Sequence, residues 1–368
     1  MTRFRTGACL ASTFVKSRSP SACQVSDCLI KMIYASIIYR SYKNNALFKD
    51  GSGENGGEFF LPYRKLRQEF LRKGVELNTA DLNAGRKVAF ELYINCCRQS
   101  PKARAYVYLY ENPLIRLINR DRRLLARYAK WFTWDGELLD DQRAVRLFYP
   151  NLIQVSDYAD PQARPLFLVL VTTNNAIKNY DPREQFGTRV EIINWYERHA
   201  PHDFHLFGRG WDCPAALPGR WGQVYNQLHK VIARVFPVKS PFATWRGPVA
   251  SKNELLTRTR FSIAYENSRD LPGYITEKLF DCFRAGCVPV YIGPREIHDH
   301  IPADCFIDGR EFATTAALDA HLRTIDDVAY RGYQERIRAF LGSDRAKPFS
   351  QDHFADVIVR TILADLGR

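Results

Sequence analysis

Residues 261–293 contain the densest group of side chains in the chain that could do chemistry. Lys278 can neutralise an anion, and Glu277 beside it can accept hydrogen bonds from sugar hydroxyls, as acidic residues do in other nucleotide-binding folds. Asn267 and Tyr274 supply neutral donors for phosphate or sugar oxygens. Each residue taken alone also fits a plain interpretation, a polar side chain on a capped helix or a loop. The whole set predicts a site for a nucleotide diphosphate.

The elements around this segment would bring those side chains together. A strand predicted at residues 261–265 ends just before the polar residues, and the carboxyl edge of a parallel sheet is where ligands bind in open α/β folds. Thr276 is a good N-cap, so a helix is predicted from Glu277 to about Ala285. The N-terminus of such a helix offers unpaired N–H groups and a partial positive charge, both of which suit a diphosphate. A lysine in the first turn disfavours the helix unless an anion compensates it.

Strand and helix signals alternate along the chain, which indicates an α/β fold with mostly parallel sheets. Strands are predicted at residues 32–39, 75–79, 105–110, 166–172, 204–207, 261–265 and 288–292. Helices are predicted at residues 61–73, 188–199, 277–285 and 351–366. A length of 368 residues fits two domains of roughly 150 residues each.

Four segments are predicted. Residues 1–30 lack apolar periodicity and are interpreted as a disordered or mis-started leader. Residues 31–160 would form a first domain with an α/β layer structure. Residues 161–350 would form a second domain, in which strand, helix and strand follow one another as in doubly wound folds. Residues 351–368 would form a closing helix.

The formal net charge of +13 calls for an anionic partner. A nucleotide, an anionic glycolipid surface and nucleic acid are the candidates, and solvated basic helix faces are the plain alternative. Nucleic acid is disfavoured, since no pattern typical of its binding modules is present. The basic residues within 64–73 could touch an anionic membrane surface.

The location of the protein is predicted from two further features. The longest apolar run is only Leu166–Val171, far short of the roughly 20 residues of a membrane-spanning helix. The nine cysteines are scattered, odd in number and without a CxxC pair, which is typical of reduced thiols. Together they favour a cytoplasmic protein without a transmembrane segment, peripheral to the inner membrane at most.

The same segment resembles glycosyltransferase family 10, the α-1,3/1,4-fucosyltransferases, and looks closest to bacterial members. The family signature has the form F-E-N-S, then Y-I/V-T-E-K, then A-G-x-V-P-I/V-x-x-G. The chain carries YENS at 265–268, YITEK at 274–278 and AGCVPVYIG at 285–293, with Tyr265 where Phe is usual. The resemblance implies a GT-B fold of two Rossmann-like domains, with acceptor binding in the first, donor binding in the second and an active-site cleft between them. It also implies inverting transfer of L-fucose from GDP-fucose to a hydroxyl of a glycan that contains GlcNAc or Glc, such as a lipopolysaccharide or a protein-linked glycan.

The resemblance also implies roles for individual residues. Asn267, Tyr274, Glu277 and Lys278 would hold the donor, and Arg189 looks like the family's phosphate-binding arginine, although a solvated helix position is the alternative. Inversion by single displacement needs a base for the attacking hydroxyl. The family places a catalytic glutamate where this chain has Glu111, in the stretch YENP at 110–113. Glu266 and Asp135 are alternative bases, and a plain loop carboxylate is the further alternative for Glu111.

No cofactor is expected. The chain has no Asp-x-Asp pair to bridge a divalent cation to a diphosphate, so a metal would at most stimulate activity. His298 and His300 flank Asp299 in what is predicted to be a surface loop, and metal binding there is disfavoured. Two other functions stay open: a GT-B glycosyltransferase with another nucleotide-sugar donor, and a non-catalytic protein that binds nucleic acid or glycan.

Overall fold

A computed structural model describes residues 32–39, 42–49, 60–235 and 240–368. The predicted leader, residues 1–30, lies outside the described residues. The described strands form two sheets in which every pairing is parallel. This confirms the predicted α/β class.

The first sheet has six strands among the described residues, in the order β2-β1-β3-β4-β5-β6. Their bounds are β1 Ile33–Ile38, β2 Val75–Thr79, β3 Phe90–Ile94, β4 Arg104–Leu109, β5 Lys130–Thr133 and β6 Ala144–Arg146. Strands β3 and β4 are buried along almost their whole length, as expected for parallel strands covered on both faces.

The second sheet has five strands among the described residues, in the order β11-β10-β9-β7-β8. Their bounds are β7 Leu166–Val171, β8 Phe204–Phe207, β9 Thr259–Ile263, β10 Val288–Tyr291 and β11 Ile307–Asp308. The strand order reverses between β7 and β9, which are paired neighbours although β8 separates them in the chain. In doubly wound folds such a reversal marks the ligand-binding crevice.

Helices cover the two sheets, together with short 3₁₀ turns. Their bounds are α1 Leu61–Arg72, α2 Arg122–Leu125, α3 Phe186–His199, α4 Gly219–Val235, α5 Lys252–Thr257, α6 Glu277–Ala285, α7 Ile297–His300, α8 Thr315–Thr324, α9 Asp327–Leu341 and α10 Gln351–Asp365. Within the described residues, no helix combines the length and the apolar character needed to cross a membrane.

The last helix packs on the first sheet. Phe354 of α10 is buried against Tyr63 of α1 and Tyr108 of β4, with ring centroids 6.3 and 5.0 Å away. Asp365 near its end accepts a hydrogen bond from the Tyr106 hydroxyl at 2.6 Å. The chain therefore returns to the first sheet after completing the second, and part of the first core comes from the C-terminal residues.

The histidines predicted in a surface loop lie instead on the short helix α7. His298 stacks on Phe306 and lies 3.6 Å from Asp308, while the ring of His300 contacts Phe148. These contacts give both histidines a packing role.

Candidate active site

The carboxyl ends of β7 and β9 frame the candidate site. Arg189, on α3, reaches across this point of strand-order reversal. Its Nη2 donates to the backbone oxygens of Tyr265 at 2.5 Å and Glu266 at 2.8 Å, and to Asn267 Oδ1 at 3.2 Å. Its Nη1 donates to Thr172 Oγ1 at 3.3 Å. Arg189 thus fixes the backbone that carries the YENS residues.

Arg189 is a buried cation whose hydrogen-bond acceptors are neutral. It is 3% exposed, and burial lowers the pKa of its guanidinium. Among the neighbouring charges, the Glu266 carboxylate has the largest effect, and it raises the pKa of the guanidinium. The Nε atom is buried without a hydrogen-bond partner among the described residues. A guanidinium left in this state is suited to pair with an anionic ligand, since a buried charge is costly without compensation.

Glu266 organises the N-terminus of α6. Its carboxylate accepts hydrogen bonds at 2.8 Å from both the backbone N–H and the hydroxyl of Thr276. The Tyr291 hydroxyl and the Lys278 ammonium also donate to it, each at 3.2 Å. Glu266 is completely buried. With four donors around it, this carboxylate positions its neighbours and has no room for a substrate hydroxyl.

Three cations line one pocket beside that helix terminus: Arg189, Lys278 and Lys252. Lys252 is the first residue of α5, and its Nζ lies 2.8 Å from Asp281 Oδ2. Burial opposes the charge of Lys252, but the carboxylates of Asp281 and Glu277 raise its pKa above the ordinary value. The pocket is therefore electropositive.

Sequence reasoning missed Lys252. Ser251 caps α5 by accepting a hydrogen bond from the backbone N–H of Glu254, and this serine-to-glutamate spacing could have placed the helix. Nothing in the local sequence indicates that α5 packs beside α6, however, so the lysine's place in the pocket depends on tertiary structure.

Glu277 is an ionised acceptor next to Lys278, whose Nζ lies 3.8 Å from its carboxylate. Burial raises the pKa of Glu277, but the charges of Lys278 and Lys252 outweigh burial and lower it to about 2. After burial itself, the charge of Glu277 is the largest effect that raises the pKa of the Tyr110 and Tyr149 phenols. The carboxylate thus faces aromatic residues that follow β4 and β6 of the first sheet.

Tyr274 is a neutral donor on the same side. Its ring packs on Trp134 at 4.6 Å between centroids, and it is 4% exposed. Burial, then the charges of Glu266 and Glu111, raise the pKa of its phenol well above the ordinary value. Tyr274 therefore stays protonated and lies close enough to Glu111 to sense its charge.

Glu111 lies in the loop that follows β4. Its backbone N–H donates to Asn95 Oδ1 at 2.7 Å, and its carbonyl accepts from Asn119 Nδ2 at 2.8 Å. The next residue, Asn112, is completely buried and donates to Ser268 Oγ at 2.8 Å. This bond joins the loop after β4 to the YENS residues after β9, so Glu111 is held at the facing carboxyl edges of the two sheets.

The structure brings the six predicted site residues to one place. Arg189, Asn267, Glu277 and Lys278 surround the end of β9, and Glu111 meets them through Tyr274. Of the alternative bases, Glu266 is fully occupied, as described above.

The other alternative base, Asp135, forms an ion pair with Arg120. Its two carboxylate oxygens accept from Arg120 Nε at 2.6 Å and Nη2 at 3.0 Å, and the residue is 3% exposed. Glu137 also donates its backbone N–H to Asp135. A carboxylate paired this closely has a structural role, and Glu111 stays the predicted base.

The fold defines the general class of the protein. Two solved structures resemble it over almost the whole chain. An α1,3-fucosyltransferase with GDP-fucose has a TM-score of 0.50 and 13% identity and covers 96% of this chain and 94% of its own. Sucrose-phosphate synthase from Thermosynechococcus elongatus has a TM-score of 0.56 and 10% identity and covers 91% and 100%. Both are GT-B glycosyltransferases, and the predicted GT-B fold is confirmed.

Sequence comparisons relate part of the chain to a known family. The protein-family model described as "Glycosyltransferase family 10 (fucosyltransferase) C-term" matches residues 219–341 of the chain. A bovine alpha-(1,3)-fucosyltransferase 4 is 40% identical over 91 residues, 23% of each chain. A murine 4-galactosyl-N-acetylglucosaminide 3-alpha-L-fucosyltransferase 9 is 37% identical over 166 residues, 44% of this chain and 39% of that protein. Residues 219–341 are therefore similar to the C-terminal part of glycosyltransferase family 10 proteins.

Two qualifications follow from the same matches. The matched region spans less than half the length of these curated relatives. An alpha-(1,4)-fucosyltransferase of Arabidopsis thaliana is also similar, 35% identical over 80 residues, 21% of this chain and 20% of that protein. These relatives are animal and plant proteins, so the predicted likeness to bacterial members is not borne out.

Proposed function

We propose that this protein is an inverting fucosyltransferase that transfers L-fucose from GDP-fucose to a hydroxyl of a GlcNAc- or Glc-containing glycan. The observation that carries the proposal is the pocket lined by Arg189, Lys252 and Lys278 at the N-terminus of α6. The names of the related proteins support fucose as the sugar, and one similar structure contains GDP-fucose.

The donor would occupy the edge of the second sheet. Its diphosphate would lie against Lys278, Arg189 and the backbone N–H groups of α6, because all three stabilise negative charge. Glu277, ionised at neutral pH, would accept hydrogen bonds from the ribose hydroxyls. The Tyr274 phenol and the Asn267 amide would donate to sugar or phosphate oxygens.

Transfer would proceed by a single displacement. The Glu111 carboxylate takes the proton of the acceptor hydroxyl as that oxygen forms a bond to the anomeric carbon of fucose. The bond from this carbon to the diphosphate breaks on the opposite face, and its electron pair leaves with GDP. The added negative charge is stabilised by Lys278 and Arg189, so no divalent cation is required in this proposal.

Calorimetric titration of GDP tests the donor site directly. Lys278→Ala removes a charge-assisted contact worth about 1.5–3 kcal/mol, so we expect GDP affinity to fall roughly 10- to 100-fold. The matched control is Lys347→Ala, because Lys347 also pairs with a carboxylate, Asp344, but is solvent-exposed on the C-terminal side of α9. Equal affinity in the Lys278→Ala variant and the parent protein would contradict the proposed donor site.

A further inference from the structure

Helix α4 exposes a continuous apolar stripe. Its members recur at helical spacing on one face, and all of them are exposed: Trp221, Val224, Leu228, Val231, Ile232 and Val235. Trp221 is 87% exposed, the highest value among the large hydrophobic residues described. Single exposed apolar residues are ordinary, but a contiguous stripe of this kind marks a binding surface.

The opposite face of α4 attaches the helix to the protein. Asn226 exchanges two hydrogen bonds of 2.9 Å with the backbone of Leu217, and the Cys213 thiol donates to the carbonyl of His229. Gly222 is buried there, and a Cβ at this position would lie 2.3 Å from the Leu217 carbonyl oxygen. Polar and small residues thus face inward, and the apolar stripe is held toward solvent.

The charge of α4 identifies its partner. The helix sequence contains no acidic residue, and Arg220 and Lys230 are exposed on it. The whole chain carries a net charge of +13. A helix with an apolar face that bears Trp and with basic flanking residues is typical of elements that lie in the interface of a membrane. We propose that α4 docks the protein onto an anionic lipid surface, with its apolar stripe buried at the headgroup boundary.

A second copy of the chain fits this surface less well. Two copies of a chain that each carries a net charge of +13 would repel each other on approach. A helix of this length is about 25 Å long. One such stripe offers only a few hundred Å², well below the roughly 800 Å² per partner of a stable protein interface. The proposal is independent of the catalytic one, although a membrane-docked transferase would meet glycolipid acceptors readily.

Co-sedimentation of the full chain with lipid vesicles tests the docking. We expect binding to phosphatidylcholine vesicles that contain about 30% phosphatidylserine, and weaker binding to phosphatidylcholine alone or when salt rises from about 0.1 to 0.5 M. Leu228→Ser with Ile232→Ser should weaken binding at least about tenfold, because two apolar side chains are lost from the buried face. Val155→Ser with Val328→Ser, both exposed but outside α4, is the matched control and should bind normally.

Quenching of tryptophan fluorescence by brominated lipids locates the contact. We expect the parent protein to be quenched by anionic brominated vesicles, and Trp221→Phe to lose most of that quenching while still sedimenting with vesicles. Absence of binding, or equal binding by the Leu228→Ser/Ile232→Ser variant, would overturn the proposal. A dimer in analytical ultracentrifugation that this variant dissociates, without any change in vesicle binding, would assign the stripe to a second copy instead.

Discussion

At the residue scale, two buried arginines show how a guanidinium serves structure or a site. Arg164 is 3% exposed, and its nitrogens donate to backbone carbonyls of four residues: Ala159, Leu256, Thr259 and Ala285. Arg189 is equally buried and also bonds carbonyls, but its Nε has no described partner and it lines a pocket with two lysines. Arg164 is therefore satisfied within the fold, whereas Arg189 retains capacity for an anion.

This contrast predicts different effects of the same substitution. Arg189→Lys removes the planar fork that can bind a phosphate, so GDP affinity should fall roughly tenfold or more. Arg164→Lys should lower stability, because carbonyl contacts are lost, but should leave the GDP affinity of the folded protein unchanged. Calorimetry with GDP and urea unfolding of both variants measure the two effects. A similar loss of affinity in both variants would show that Arg189 acts only through the fold.

Substitutions of two glutamates near the site should separate an effect on stability from an effect on catalysis. Glu266→Gln breaks a buried carboxylate network that includes Lys278, so unfolding should become easier by about 3 kcal/mol. Glu111→Gln should cost less stability than Glu266→Gln, because Glu111 is half-buried whereas Glu266 is completely buried.

For turnover we expect the opposite order of effects, with the larger loss of kcat in the Glu111→Gln variant. Removal of a general base lowers kcat by roughly 100-fold or more, so Glu111→Gln should lose transfer while still binding GDP. Glu335→Gln, an exposed substitution on α9, is the control. Full kcat in the Glu111→Gln variant would reject Glu111 as the base and reopen the alternatives.

At the element scale, α6 is the part of the site that the sequence predicts best. Its bounds coincide with the predicted ones because both ends are coded locally, by the Thr276 cap and by Gly286 in the left-handed region, with φ of 64°. Helix α4 was missed although its apolar spacing is helical, and its outward stripe is the reverse of the pattern of a core helix. Local caps can thus be read from sequence, whereas the direction in which an amphipathic helix faces cannot.

The C-terminal glycine of α6 gives a test of this local code. Gly286→Ala places a Cβ 2.4 Å from Cγ of Tyr158 and also strains the left-handed backbone, so we expect a loss of about 3 kcal/mol in unfolding free energy. Gly85 is the matched control, since its φ is also positive, 77°, but nothing lies within 4 Å of the added Cβ. Gly85→Ala should therefore cost only about 1 kcal/mol. Equal losses in urea unfolding would mean that the Tyr158 contact is unimportant.

At the scale of the whole molecule, the site is assembled from distant parts of the chain. The class of fold follows from the alternation of strands and helices, but the contact between Asn112 and Ser268 joins residues that no local pattern relates. The same holds for α10, which was predicted as a closing helix without any indication that it packs on the first sheet. The base role predicted for Glu111 rests on family resemblance alone, because a single loop carboxylate carries no signal of its own.

The return of α10 predicts that the first sheet depends on the C-terminal residues. Phe354→Ala should destabilise the protein by about 3–5 kcal/mol, since a buried aromatic ring between α1 and β4 is removed. Val328→Ala, 74% exposed on α9, should change stability by less than about 0.5 kcal/mol. Urea unfolding of both variants measures the difference, and a Phe354→Ala variant as stable as the control would contradict the packing described for α10.

The most direct test of the central claim is the release of GDP from GDP-fucose by the purified protein in the presence of EDTA, with lactose- and N-acetyllactosamine-type acceptors. GDP-mannose and UDP-sugars serve as comparison donors. We predict turnover that is specific for GDP-fucose, that survives EDTA and that is lost in the Lys278→Ala and Glu111→Gln variants. Turnover with another donor alone would keep the fold and contradict the fucose assignment. Absence of binding to any nucleotide sugar would contradict the transferase function itself.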